Sequence, residues 1–215
     1  MVVELVGPSG AGKTTIAKEL SRLNPVRYKI VSPYNIYSVL IYFYSPFWFY
    51  KTLKFLFKLG GINLLFSKSG LNWFFVSGAA LHETRKKSNE DSVVIFDQLT
   101  FQALRRISRK VGRSQLSIVR DFYYLIPPVN VYVPCDARKD TIEYRRSHRD
   151  GEKVDLDGES FKRHWNDTIS SIKEYCRILG LYGNLCLILN INSEIDLSEN
   201  TLILDDFLND IFITV

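Results

Sequence analysis

The residues of clearest chemistry in this 215-residue chain are GPSGAGKTT at 7–15. Gly7-Pro8-Ser9-Gly10-Ala11-Gly12-Lys13-Thr14 satisfies G-x-x-x-x-G-K-[ST], with an apolar run before it and a helical pattern after it. Such glycines let the backbone curl so that successive N–H groups point inward at phosphate oxygens, and the helix N-terminus adds a partial positive charge. Lys13 then reaches the β and γ phosphates, the Thr14 hydroxyl ligates Mg²⁺, and Ser9, Gly10, Ala11 and Thr15 complete the cradle. ATP and Mg²⁺ are the expected ligands. The motif leaves open whether the terminal phosphate goes to water or to a second substrate.

Other residues bear on that choice. Asp97 ends the run SVVIFD, where a carboxylate can hold Mg²⁺ through water or accept the proton of an attacking hydroxyl; it also suits the cap of a following helix. Arg145 and Arg149 lie one helical turn apart in EYRRSHRD, with Arg146 between them, beside the charged loop DGEKVDLDGES. Two guanidinium groups on one face can clamp a transferring phosphate, and the same pattern fits a solvated basic face. Gln98 and Gln102, with Arg105 on the same face, can read the hydroxyls or amide of an acceptor, or stand as ordinary helix-surface residues. Glu83 and Arg85 are further candidates just before that strand. No LSGGQ-like signature and no N-K-x-D is present, which argues against a transporter ATPase and a GTPase switch.

The elements that must position these residues alternate between strand and helix. Val2 to Val6 is a short apolar run of the kind buried on both faces of a parallel sheet. A helix starts within the glycine loop and stops near Asn24 and Pro25. Strands are expected over 28–32, 92–97, 129–135 and 186–191. Helices are expected over 99–111 and 115–125, from Asp136 to about His148, over 160–179, and from Ser198 onward. The pattern predicts an α/β three-layer P-loop fold: a five-stranded, mostly parallel sheet, a helical insertion between the second and third strands, and an arginine-bearing lid over about 138–158. One domain is expected over 1–215.

Residues 33–81 break the rhythm with dense aromatics, IYFYSPFWFY, KFLFKL and NWFFV. They read as two or three inserted helices. Pro33 and Pro46 interrupt the uncharged run over 30–50, which argues against a membrane span, and a buried helical subdomain is favoured. Lys51, Lys54 and Lys58 flank the aromatics, so a hydrophobic acceptor pocket or contact with a membrane surface stays open as a second reading.

The net charge of +5 suits an anionic ligand, and a triphosphate accounts for much of it; no nucleic-acid motif accompanies it. Cys135, Cys176 and Cys186 are odd in number and lack zinc spacing, so neither a disulfide nor a metal cage is expected. With strand and phosphate loop already formed by the seventh residue, no signal peptide is expected ahead of the fold, and a cytoplasmic setting follows.

Taken together, GPSGAGKTT, the strand ending in Asp97, VNVYVPCDARKDTIEYRRSHRDG and FKRHWNDTISSIKEY resemble the nucleoside and nucleotide kinases of the thymidylate kinase type over most of the chain. The resemblance implies that Asp97 is the base or magnesium partner, that Arg145 and Arg149 are lid arginines, and that the acceptor lies between the third strand and the preceding helices. It departs at Gln98, where the family carries an arginine that helps bind an acceptor phosphate; an alcohol acceptor fits the glutamine better than a monophosphate. Two rivals remain: a nucleotide-binding ATPase or regulatory module that docks a partner through the aromatic insertion, and a peripheral membrane kinase acting on a lipid-linked acceptor.

Overall fold

The computed structural model describes residues 1–8, 10–34, 37–85, 92–97, 99–136, 139–150, 158–181, 187–188, 191–192 and 196–214. Strand β1 (Val2–Val6) is buried along its whole length and leads through the glycine loop into α1 (Lys13–Leu23). After β2 (Tyr28–Ile30) come three helices, α2 (Tyr37–Tyr44), α3 (Pro46–Leu65) and α4 (Lys68–Arg85). Strand β3 (Val93–Phe96) is followed by α5 (Thr100–Val111), α6 (Gln115–Phe122) and a 3-10 turn at Tyr123–Leu125. Then follow β4 (Val131–Asp136), α7 (Lys139–Asp150), α8 (Gly158–Leu181), β5 (Leu187–Ile188), β6 (Ile191–Asn192) and α9 (Leu197–Thr214).

The strands pair in parallel in the order β2-β3-β1-β4-β5. Successive side chains of a strand point to opposite faces, so each strand feeds two cores. Val3, Leu5, Ile95 and Val133 pack against α1 and α9 through Ile16, Leu20, Leu204 and Leu208. Val2, Val6, Phe96 and Tyr132 pack against the other helical layer through Phe101, Leu104, Ile118 and Tyr175. Burial of both faces explains why β1 and β3 read as nearly unbroken apolar runs.

The sheet differs from expectation at its far edge. Among the described residues four strands have three residues or more, and of the fifth expected over 186–191 only two short pieces are described. These, β5 and β6, are two-residue pieces lying along β4 in one register, Leu187 opposite Val131 and Ile191 opposite Cys135. A second correction concerns the cysteines: Cys176 is disulfide-bonded, whereas Cys135 is free and buried.

The insertion divides into a packed side and an exposed side. Phe55 stacks on Trp73 with ring centroids 4.6 Å apart, and the buried Tyr42 hydroxyl bonds Ser77 Oγ at 2.7 Å and donates to the Phe74 carbonyl at 3.0 Å. Helices α2 and α4 touch at backbone distance, because a Cβ at Gly78 would stand 1.7 Å from the Ser38 carbonyl oxygen. Helix α3 kinks at Gly60–Gly61, where Gly61 has φ 61 and ψ −155, a conformation essentially reserved for glycine. Phe43, Tyr44 and Phe47 stand in the open, so the buried-subdomain expectation holds for only part of the insertion. Among the described residues, no helix is long and apolar enough to cross a membrane.

Candidate functional site

The glycine loop is shaped by two left-handed residues and one close approach. Gly10 and Gly12 have φ of 92 and 83, a region where a side chain is strained. A Cβ at Gly7 would stand 2.7 Å from the Cys135 carbonyl oxygen, so the loop sits against the end of β4. Burial pushes the Cys135 thiol up to about 12, while the nearby Lys13 charge pulls the other way; a neutral thiol of this kind is a packing group.

Lys13 is buried under this loop and its Nζ donates to the Gly7 and Pro8 carbonyls, each at 2.8 Å. The Thr14 hydroxyl donates to Asp97 Oδ2 at 2.9 Å, which joins the loop after β1 to the end of the adjacent β3. Arg145 Nη1 on α7 donates to the Gly10 carbonyl at 3.3 Å. The Arg145 side chain thus reaches the loop from α7. Ala11 is buried and Thr15 exposed. Ser9 and Gln98 lie outside the described residues, as do 138 and 151–157 of the expected lid, and of Arg146 and Arg149 only the helical backbone is described.

A group that the motif did not reveal braces this arrangement. Glu4, fully buried in β1, accepts from the Thr100 N–H at 3.0 Å, the Thr100 hydroxyl at 2.5 Å and the Phe101 N–H at 3.0 Å. It thereby binds the first N–H groups of α5, which a helix cannot satisfy internally and which favour negative charge. Burial raises the Glu4 carboxyl to about 7, against the lowering influence of these donors. The one signal in the sequence was a carboxylate inside the otherwise apolar VVELV.

The acceptor-side candidates are less closely gathered. Gln102 is half-buried on α5. Arg105 is half-buried, its enclosed Nε has no hydrogen-bond partner among the described residues, and burial, with the charge of Arg109, lowers it to about 10. Nearby on α5, Arg106 Nη1 donates to Asn72 Oδ1 on α4 at 3.1 Å, and Tyr34 donates to the same oxygen from the segment after β2. Spacing alone had not singled out Tyr34, Asn72 or Arg106. Glu83 stands apart: it pairs with His82 at 2.9 Å and its charge acts on the Met1 amino group, at the amino end of β1, whereas the loop lies at the carboxyl end. The side chain of Arg85 is outside the described residues.

No protein-family model matches the sequence, and no curated protein matches it by sequence. Solved structures do match by shape. The structure of deoxyadenosine kinase from M. mycoides with products dCMP and a flexible dCDP bound is 17% identical, covers 98% of this chain and 100% of that chain, and superposes with a TM-score of 0.52. The same values hold for that enzyme with bound dCTP. With bound dATP the identity is 16%, the coverage 97% and 100%, and the TM-score 0.50. At such identity the likeness is one of fold alone: this chain shares the α/β architecture of those structures, a parallel sheet with helices on both faces.

Proposed function

We propose that this chain is a single-domain P-loop phosphotransferase that moves the γ-phosphate of ATP to a hydroxyl of a nucleoside-like or nucleotide-like small molecule. The observation that carries the reading is the hydrogen bond from Thr14 to Asp97, which puts a carboxylate from a second strand beside a glycine loop that also holds Lys13. A hydroxyl and a carboxylate oxygen are hard ligands of the kind Mg²⁺ accepts while it keeps several waters and takes phosphate oxygens. The donor set therefore fits Mg²⁺, with Thr14 as ligand and Asp97 as direct or water-bridged partner. When bound, the ion neutralises charge on the β and γ phosphates.

The loop N–H groups and Lys13 would hold the triphosphate. The acceptor oxygen bonds to the γ-phosphorus, the bond to the β–γ bridging oxygen breaks, ADP leaves, and the hydroxyl proton passes to Asp97. Arg145, already against the loop, and Arg149, one turn on, would offset charge on the transferring group and help exclude water over the lid region of about 138–158. Gln98, Gln102 and Arg105 would face the acceptor, and a glutamine at 98 favours an alcohol over a monophosphate.

The test is a panel of nucleosides, nucleotides and a metabolite extract incubated with the protein and labelled ATP with Mg²⁺. Label in an acceptor, with ADP formation that rises as acceptor is added, is the expected result. ADP formation that no added molecule accelerates would overturn the reading in favour of an ATPase or a regulatory nucleotide-binding module.

A further inference from the structure

The corner where α2 meets α3 exposes an unusual amount of aromatic surface. Phe43 is 80% exposed, Tyr44 84% and Phe47 61%, and Tyr50 is exposed beside them. Their neighbours Tyr42 and Phe55 are buried, so the corner is an outward face of a packed subdomain. Lysines are folded onto the same rings: Lys51 Nζ lies 4.6 Å from the Phe47 centroid and 4.4 Å from that of Trp48, and Lys54 Nζ 5.5 Å from that of Tyr50.

From Leu20 to His82 the chain contains no Asp or Glu, whereas Lys51, Lys54, Lys58 and Lys68 all lie on α3 and α4. The charge of this segment therefore has one sign. A second copy is the wrong occupant, because a two-fold interface sets the same patch against itself and would press lysine on lysine. Aromatic side chains beside lysines, on helices unable to cross a bilayer, are the composition of an interfacial surface. The rings enter the headgroup boundary and the ammonium groups meet anionic lipid.

We infer that the α2–α3 corner, through Phe43, Tyr44, Phe47, Lys51 and Lys54, seats this protein reversibly on an anionic lipid bilayer. The inference stands independently of the phosphotransfer reading, since none of these residues is assigned to the nucleotide or acceptor. A bilayer contact here would hold the protein at a surface without any segment spanning it.

The test is co-sedimentation of the full chain with phosphatidylcholine vesicles, with and without phosphatidylserine, at low and high salt. Binding to the phosphatidylserine vesicles that salt weakens is expected, with little binding to phosphatidylcholine alone. Lys51→Gln with Lys54→Gln should lower affinity by about tenfold or more, since each basic residue near an anionic surface contributes about fivefold. Phe43→Ser with Tyr44→Ser and Phe47→Ser should abolish sedimentation while far-ultraviolet circular dichroism stays unchanged. A wild-type protein that stays in the supernatant with anionic vesicles, or that binds both vesicle types equally, overturns the inference, and both outcomes are read without any variant. So does a lipid-free dimer, seen by sedimentation velocity, that the triple serine variant converts to monomer.

Discussion

Raising the pH should weaken this fold through Glu4. Its carboxyl is fully buried, and burial lifts it from the ordinary 4.5 to about 7, with the Thr100 hydroxyl and the Phe101 and Thr100 N–H groups pulling the other way. The folded chain thus holds this proton more tightly than the unfolded one. The associated stability is fully present below about pH 4.5 and is lost as the pH rises through about 7. At about 1.4 kcal/mol for each tenfold change in proton affinity, the gap amounts to about 3 kcal/mol, a large part of the 5–15 kcal/mol typical of a domain. The assay is urea unfolding of wild type and Glu4→Gln between about pH 4 and pH 8, so that titrations common to both proteins cancel. Wild-type stability relative to the variant should fall by about 3 kcal/mol over that range. A difference that is flat, or that rises with pH, would refute the reasoning, because it would mean that the three donors keep the buried carboxylate ionised.

Other outcomes are expected at the site and in the helical layer. Lys13→Ala should abolish transfer of label from ATP in a protein that still folds, and near-normal transfer would remove the loop from the chemistry. Asp97→Asn should leave nucleotide binding by titration calorimetry largely intact while turnover falls by about 10² to 10⁴; equal losses in both would make Asp97 a binding group only. Arg145→Ala should lower turnover more than nucleotide affinity, and unchanged turnover would dismiss its part in the lid. Gly78→Ala should cost about 1–3 kcal/mol or more in urea unfolding, since its Cβ would meet the Ser38 carbonyl oxygen at 1.7 Å and push α2 from α4.

The glycine loop and the end of β3 were legible because their signals are local: a strand, a turn and a helix within a few residues, or an acid closing a β-branched run. Glu4 was not, because its partners Thr100 and Phe101 lie 96 and 97 residues away and nothing in VVELV marks which helix the carboxylate will meet. The aromatic insertion resisted for a different reason. Rings occupy every position from Tyr42 to Tyr50 except Ser45 and Pro46, so no helical period separates the inward Tyr42 and Phe55 from the outward Phe43 and Tyr44. At the far edge of the sheet CLILNI has the composition of one strand, and its two described pieces lie along β4 in a single register. Cys176 shows that counting thiols and their spacings does not decide which of them meet in the fold.

The ladder between β1 and β3 sets Val2 against Val94, Val3 against Ile95 and Glu4 against Phe96. A slip of one residue would carry Asp97 along by about 3.3 Å and turn its side chain to the other face. The 2.9 Å reach from Thr14 would then be lost, and Glu4 would lose Thr100 and Phe101 in the same movement. Misalignment is thus penalised by a buried carboxylate as well as by a misplaced acid. Two strands of four or five residues therefore work as a vernier, fixing how far the loop after one strand lies from the carboxylate at the end of the next.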